Sequence, residues 1–301
     1  MELFFGREMF PFIIVFIILI VVIAFLYIIK PNVDDKPSHR EIQCINCRSL
    51  DPEQLALGRK IMLKHKVVIC GISRDNADQL PIEEIEETGK LFEDYRVIVF
   101  ENDSTDGTKD LLNQWKNKNN HVTILSKDYH CEKRPNIAFL AKCRNKYLKE
   151  LQKHTYHDFD ILLVVDMDMK YGWDINGLFD SFSKIDQWDA VGSNGVYTKD
   201  GKMWDMFAFR NEEFPETPHN PHYWTEIVPA GQKHYCVGTQ LIPVDSCFGG
   251  LAVYKRRFIN GCKYQSPDGD CEHISFHRHF KNNGGRIFMN PSQVTFYSHL
   301  K

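Results

Sequence analysis

Ile161-Leu162-Leu163-Val164-Val165-Asp166-Met167-Asp168-Met169 decides how this chain is read. Five consecutive apolar residues, three of them β-branched, describe a strand buried on both faces. The run then delivers two carboxylates one residue apart. Side chains two apart on an extended backbone point the same way, so Asp166 and Asp168 can converge on one object. In open α/β sheets, ligands gather outside the carboxyl ends of the strands. Two anions at such an end call for a cation, and a hard divalent ion held by carboxylate oxygens, with phosphate completing its shell, fits that chemistry. A solvated loop after a strand is the plainer alternative, and the segments around it have to decide.

Upstream, Lys66–Ile72 reads as a first buried strand, with Ser73-Arg74-Asp75-Asn76 as a polar turn at its carboxyl end. Apolar positions at Leu80, Ile82, Ile85, Leu91 and Phe92 place an amphipathic helix within 77–94. A second strand, Arg96–Phe100, runs into Glu101-Asn102-Asp103-Ser104-Thr105-Asp106-Gly107-Thr108 and then a helix over 108–117. Capping chemistry accounts for Ser104 to Thr108, but not for Glu101 on the last strand position. Carboxylates at a strand end, here Glu101, Asp103 and Asp106, can also accept ribose hydroxyls and base N–H groups. A third strand, Val122–Ser126, is followed by a polar loop and a long helix over 136–153. Arg144 lies within the apolar stripe of that helix, so it should reach inward, either to a structural ion pair or to a nucleotide. Strand, helix, strand, helix, strand, helix, strand predicts a mostly parallel sheet with helices on its faces.

The 301-residue chain carries a formal charge of −3, so no basic field argues for nucleic acid. Residues 10–29 are continuously apolar apart from Pro11 and Tyr27. As a helix, about 20 residues span ~30 Å, the hydrocarbon thickness of a bilayer. No small-x-small cleavage site follows, so a retained membrane anchor over 1–30 is expected rather than a signal peptide. Residues 31–65 read as a stem, with one short helix near 52–64. Nine cysteines permit an oxidising lumen without requiring it. Cys44 and Cys47 at C-x-x-C spacing suggest a local disulfide or two thiols rather than a metal site.

In the second half, helix 174–185 and strand 188–193 precede a Pro-, His- and aromatic-rich stretch, 211–233, read as an acceptor-side lid or insertion. Gly249 and Gly250 precede another strand and either admit a ligand close to the backbone or make a tight turn. Asp270 and Glu272 sit at the head of a helix over 273–282, where carboxylates also serve as favourable helix-end charges.

Taken together, "FENDSTDGT" (100–108) and "VVDMDM" (164–169) resemble the nucleotide-binding loop and the DxD motif of GT-A glycosyltransferases of family two. "ENDSTDGT", "AKCRN" (141–145) and "WDMFAFR" (204–210) are closer to the fungal capsule mannosyltransferase group. The resemblance covers 66–301. It implies a GT-A fold, Rossmann-like, with a nucleotide-sugar-binding half at 66–170 and an acceptor-side half at 171–301. It implies a nucleotide-sugar donor, a glycan or glycoconjugate acceptor, and Mn²⁺ or Mg²⁺ stabilising the leaving diphosphate. By the same resemblance Ser73, Arg74, Glu101, Asp103, Asp106, Arg144, Asp166, Gly249 and Gly250 meet the donor. Asp166, Asp168 and His299 hold the metal. Glu272, or second Asp270, acts as base, although Cys271-Glu272-His273 departs from the paired acids of many relatives. With the anchor, this implies a type II membrane protein of the ER or Golgi. A haloacid-dehalogenase-type phosphatase would place the Asp pair on its first core strand, whereas here three strands precede it. A membrane-tethered sugar-binding protein without activity is the remaining alternative.

Overall fold

The computed structural model of the protein describes residues 49–130 and 136–297. The apolar stretch 10–29, the Cys44/Cys47 pair and His299 lie outside them. No helix among the described residues is long and apolar enough to cross a membrane.

Eight strands form one mixed sheet: β1 (Lys66–Ser73), β2 (Asp94–Glu101), β3 (Val122–Ser126), β4 (Ile161–Val165), β5 (Ala190–Tyr197), β6 (Ile242–Pro243), β7 (Leu251–Lys255) and β8 (Ile287–Tyr297), in the order β3-β2-β1-β4-β7-β5-β8-β6. The β3-β2-β1-β4 half is parallel throughout. β7 then runs antiparallel between β4 and β5, and β6 runs antiparallel along β8. The expected mostly parallel, Rossmann-like α/β sheet is therefore present.

The apolar run of β4 is continuous because each face meets its own core. Leu162 and Val164 join the core that also holds Ala141, Tyr147 and Leu148 of α4 (Ile137–Glu150) and Phe276 and Phe280 of α7 (Glu272–Asn282). Ile161, Leu163 and Val165 join the opposite core, with Met62 of α1 (Pro52–Met62), Ile85 of α2 (Ile82–Gly89), Leu112 and Trp115 of α3 (Thr108–Lys118) and Leu178 and Phe182 of α5 (Ile175–Ser183). The period-2 alternation of a strand carries past Val165 and sends Asp166 to the face covered by α4 and α7. The described remainder of the α-helices is α6 (Val228–Gly231), a single turn within the 211–233 stretch that follows a π-turn at Tyr223–Ile227.

Local chemistry sets the helix ends. Asn136 caps α4 by accepting from the Phe139 amide, and Asp174 caps α5 by accepting from the Asn176 amide. α2 is shorter than the predicted 77–94 because Pro81 occupies its N-cap position and the chain leaves the helix after Gly89, against the ring of Tyr95. α1, expected in the stem, packs on α5: a Cβ at Gly58 would lie 1.8 Å from the Phe179 carbonyl oxygen.

Candidate active site

Arg144 draws the site together. α4 carries it inward, 5% exposed, between the β4 end and the α7 head. Its Nε donates to Glu272 Oε1 at 2.8 Å and one terminal nitrogen donates to Asp166 Oδ1 at 3.0 Å. The guanidinium also lies over the rings of Phe248 (5.2 Å) and Tyr264 (5.8 Å), contacts that suit a partly desolvated cation. Burial pushes the Asp166 carboxyl above its ordinary range; Arg144 pulls it down, while Asp168 and Asp205 push it further up. Asp168 is exposed and makes no hydrogen bond among the described residues.

The glycine pair joins this group through the backbone. The Asp166 amide donates to the Gly250 carbonyl at 2.9 Å. Gly249 and Gly250 have φ of +61° and +83°, values that side-chain-bearing residues rarely adopt. A Cβ on Gly249 would lie 2.1 Å from the Ser193 carbonyl oxygen of β5. The pair is thus a tight turn pressed on the neighbouring strand.

Asp205, to which the sequence reading assigned no role, completes the cluster. It is 6% exposed and accepts from the Gly249 amide (2.8 Å) and the Ala208 amide (3.2 Å). Burial, with the charge of Glu272, raises its carboxyl to about 6 against the two amides and Arg144, which lower it. Its signal lay inside "WDMFAFR", but a lone Asp in irregular chain has no periodicity to mark it. Arg210, from the same stretch, is buried and donates to Asp270 Oδ1 at 2.9 Å. Each candidate base is therefore clamped by a buried arginine: Glu272 by Arg144, and Asp270 by Arg210.

The loops that follow β1 and β2 are built mainly on themselves. Ser73 Oγ donates to Asn76 Oδ1 (2.6 Å), and Asn76 Nδ2 donates to the Met167 carbonyl (2.6 Å), tying the β1 turn to the Asp pair. Arg74 Nε donates to Asp75 at 3.4 Å. Glu101 is 1% exposed; it accepts from the Ser104 amide (3.0 Å) and from Ser126 Oγ (2.5 Å). It continues the β2 face of Val97 and Val99, which lies in the core on the side of α1, α2, α3 and α5. Asp103 accepts from the Tyr129 and His130 amides (2.7 and 2.8 Å), which with the Asn102 amide group hold its carboxyl low against the upward pull of partial burial. Asp106 accepts from the Thr108 and Ala77 amides (2.9 and 3.0 Å), serving the start of α3 and the β1 turn.

A hard cation fits the donor set at the β4 end. Asp166 and Glu272 share the guanidinium of Arg144, Asp168 stands exposed beside them, and Mg²⁺ or Mn²⁺ is ordinarily held by one or two carboxylates with substrate phosphates completing the shell. No group of three His, Cys, Asp or Glu side chains that could hold a metal alone is present among the described residues. Behind the site, Tyr254 OH, His277 and Ser246 form a buried chain: His277 Nε2 to Tyr254 OH at 2.8 Å, His277 Nδ1 to Ser246 Oγ at 2.7 Å, and Ser246 Oγ donating to the Ala208 carbonyl at 2.7 Å. Burial drops His277 to about 3, so it is neutral and fastens α7 to β7.

No curated protein matches the chain. Solved structures similar to it include mannosyltransferase PcManGT from Pyrobaculum calidifontis in complex with GDP-Man and Mn²⁺, at 15% identity and a TM-score of 0.44, over 79% of this chain and 58% of that one. S. aureus TarS 1–349 in complex with UDP matches at 14% identity and a TM-score of 0.44, over 77% and 60%. GalNAc-T7 with UDP, GalNAc and Mn²⁺ matches at 11% identity and a TM-score of 0.43, over 89% and 57%. The chain thus spans less than two thirds of each. The family described as cryptococcal mannosyltransferase 1 matches residues 86–285, more than half of the chain, and with it the chain belongs to that family of glycosyltransferases.

Proposed function

We propose that the protein transfers a sugar from a nucleotide-diphosphate sugar to a glycan or glycoconjugate acceptor, with Mn²⁺ or Mg²⁺ at Asp166 and Asp168. The observation that carries the reading is the Arg144 bridge, which joins the DxD strand end to the acidic head of α7. The family supports mannose as the transferred sugar. The metal, when bound, acts as a Lewis acid on the departing diphosphate. Arg144 keeps Asp166 and Glu272 in register with one another. The Gly249–Gly250 turn, fixed by Asp205, forms the wall beside them. Ser73 and Arg74 border the nucleoside side, and Glu101 and Asp103 shape the loop that meets it. Glu272 accepts the acceptor hydroxyl proton, with Asp270 held next to it by Arg210. His299 is the proposed third metal ligand. The apolar stretch 10–29 is proposed as the membrane tether, giving a type II protein of the ER or Golgi, with 31–65 as the connecting segment before the catalytic part at 66–301.

The test is release of nucleoside diphosphate from a panel of nucleotide sugars with Mn²⁺, Mg²⁺ or EDTA. The wild type is expected to turn over at least one donor only with metal. Asp168→Ala is expected to lose about 100-fold or more of that turnover. Undiminished turnover in this variant, or none from any donor by the wild type, would overturn the proposal.

A further inference from the structure

A groove of about 470 Å³ runs along the outer side of α4, facing the segment that leads to α7. Its lining includes Lys142, Lys146, Lys149 and Lys263 and, among the described residues, contains no carboxylate. This is a local exception in a chain whose net charge is −3. Lys142, Lys146 and Lys149 follow at i, i+4 and i+7, so they form one row roughly 10 Å long. Like charges at that spacing weaken a helix, and the acid on the same helix, Glu150, pairs instead with Lys153 at 2.8 Å. Lys149 suits the carboxyl end of the helix and Lys142 lies over the Tyr129 and Phe139 rings, so Lys146 and Lys263 are the lysines of the groove without an ion pair or ring contact among the described residues.

The groove is built rather than incidental. Asn145 stitches its two walls, donating to the Tyr264 carbonyl at 2.8 Å and accepting from the Tyr264 amide at 3.1 Å. It also leads toward the chemistry. Tyr264 lines the groove, while its ring lies under Arg144 (5.8 Å) and against His273 (5.4 Å). Ser266, on the same wall, donates to the Asp270 carbonyl at 2.5 Å, next to the candidate bases.

We propose that this groove binds an acidic glycan, the negatively charged stretch of the acceptor; calling it the acceptor rests on the transferase reading above. The lysine row supplies charge complementarity along an extended chain. A flat anionic bilayer is the poorer fit: the surface is concave, and α1, the first described helix, lies against the opposite face of the sheet.

The experiment measures binding of the full chain to an oligogalacturonate, to a neutral malto-oligosaccharide and to phosphatidylserine-containing vesicles, at low and high salt. The wild type is expected to bind the oligogalacturonate alone, more weakly as salt rises. K146E/K149E/K263E is expected to bind it about tenfold or more weakly, with cooperative unfolding retained and nucleotide-sugar hydrolysis unchanged. Should that variant fold poorly, K146Q/K263Q is expected to show the same direction of loss. Equal binding by the folded variant, or capture of vesicles but not of oligogalacturonate, would overturn the assignment. Uronate binding without donor hydrolysis would leave the groove standing and sink the transferase reading. Hydrolysis without uronate binding would do the reverse.

Discussion

Arg144 is one residue on which two separate stretches of sequence depend. Its guanidinium is the shared partner of Asp166 and of Glu272, which is 3% exposed. Removing one member of a buried charge pair leaves the other uncompensated and costs about 3–5 kcal/mol. Arg144→Ala is expected to lower unfolding free energy by that order in urea titration. His277 gives a pH-dependent counterpart. Its ordinary value is near 6.5 in the unfolded chain and is lowered to about 3 in the fold, so in that interval the unfolded state holds the extra proton. Stability supplied by neutral His277 is complete above pH ~6.5 and is lost as pH falls, by about 1.4 kcal/mol per pH unit for one proton. The advantage of wild type over His277→Gln should therefore shrink between pH 6.5 and 4, as read by urea midpoints. Arg144 was legible in sequence because a cation inside an apolar stripe must find an acceptor; which acceptor was not, since both partners come from distant segments. Asp205 was illegible because its role exists only where Gly249 folds back onto it.

At the scale of elements, runs bounded by sharp chemistry were readable and turns were not. β3 was expected at 122–126 and is found there. β4 follows the apolar run because both its faces are covered, and α7 starts at Glu272, one residue before its predicted head. The glycine pair was visible, but its cause was not. Two glycines in a row announce positive φ or close approach; only the fold shows that the close approach is the backbone of β5. Gly249→Ala sets a Cβ 2.1 Å from the Ser193 carbonyl oxygen at φ +61°. It should destabilise by about 1–3 kcal/mol and lose donor hydrolysis, as measured by urea titration and nucleotide release. Hydrolysis at the wild-type level in this variant would show that the turn can shift without harm to the site.

For the whole molecule, alternating strands and helices predicted the parallel half, where each crossover is local in sequence. The insertion of β7 between β4 and β5 was beyond reach, because antiparallel pairing with a strand about 90 residues earlier leaves no local pattern. That insertion brings the acidic strand end, the glycine turn and the α7 head to one edge. A ligand binding only the native state stabilises it by about 2.7 kcal/mol at a hundredfold excess over its dissociation constant. Mn²⁺ with a nucleoside diphosphate is expected to raise the melting temperature of the wild type and not of Asp168→Ala. The bond from the Asp166 amide to the Gly250 carbonyl has one more result. It makes a single backbone proton the sentinel of two motifs: deuterium should enter at Asp166 only when the strand end and the glycine turn part company, so its exchange clocks their separation without any substrate present.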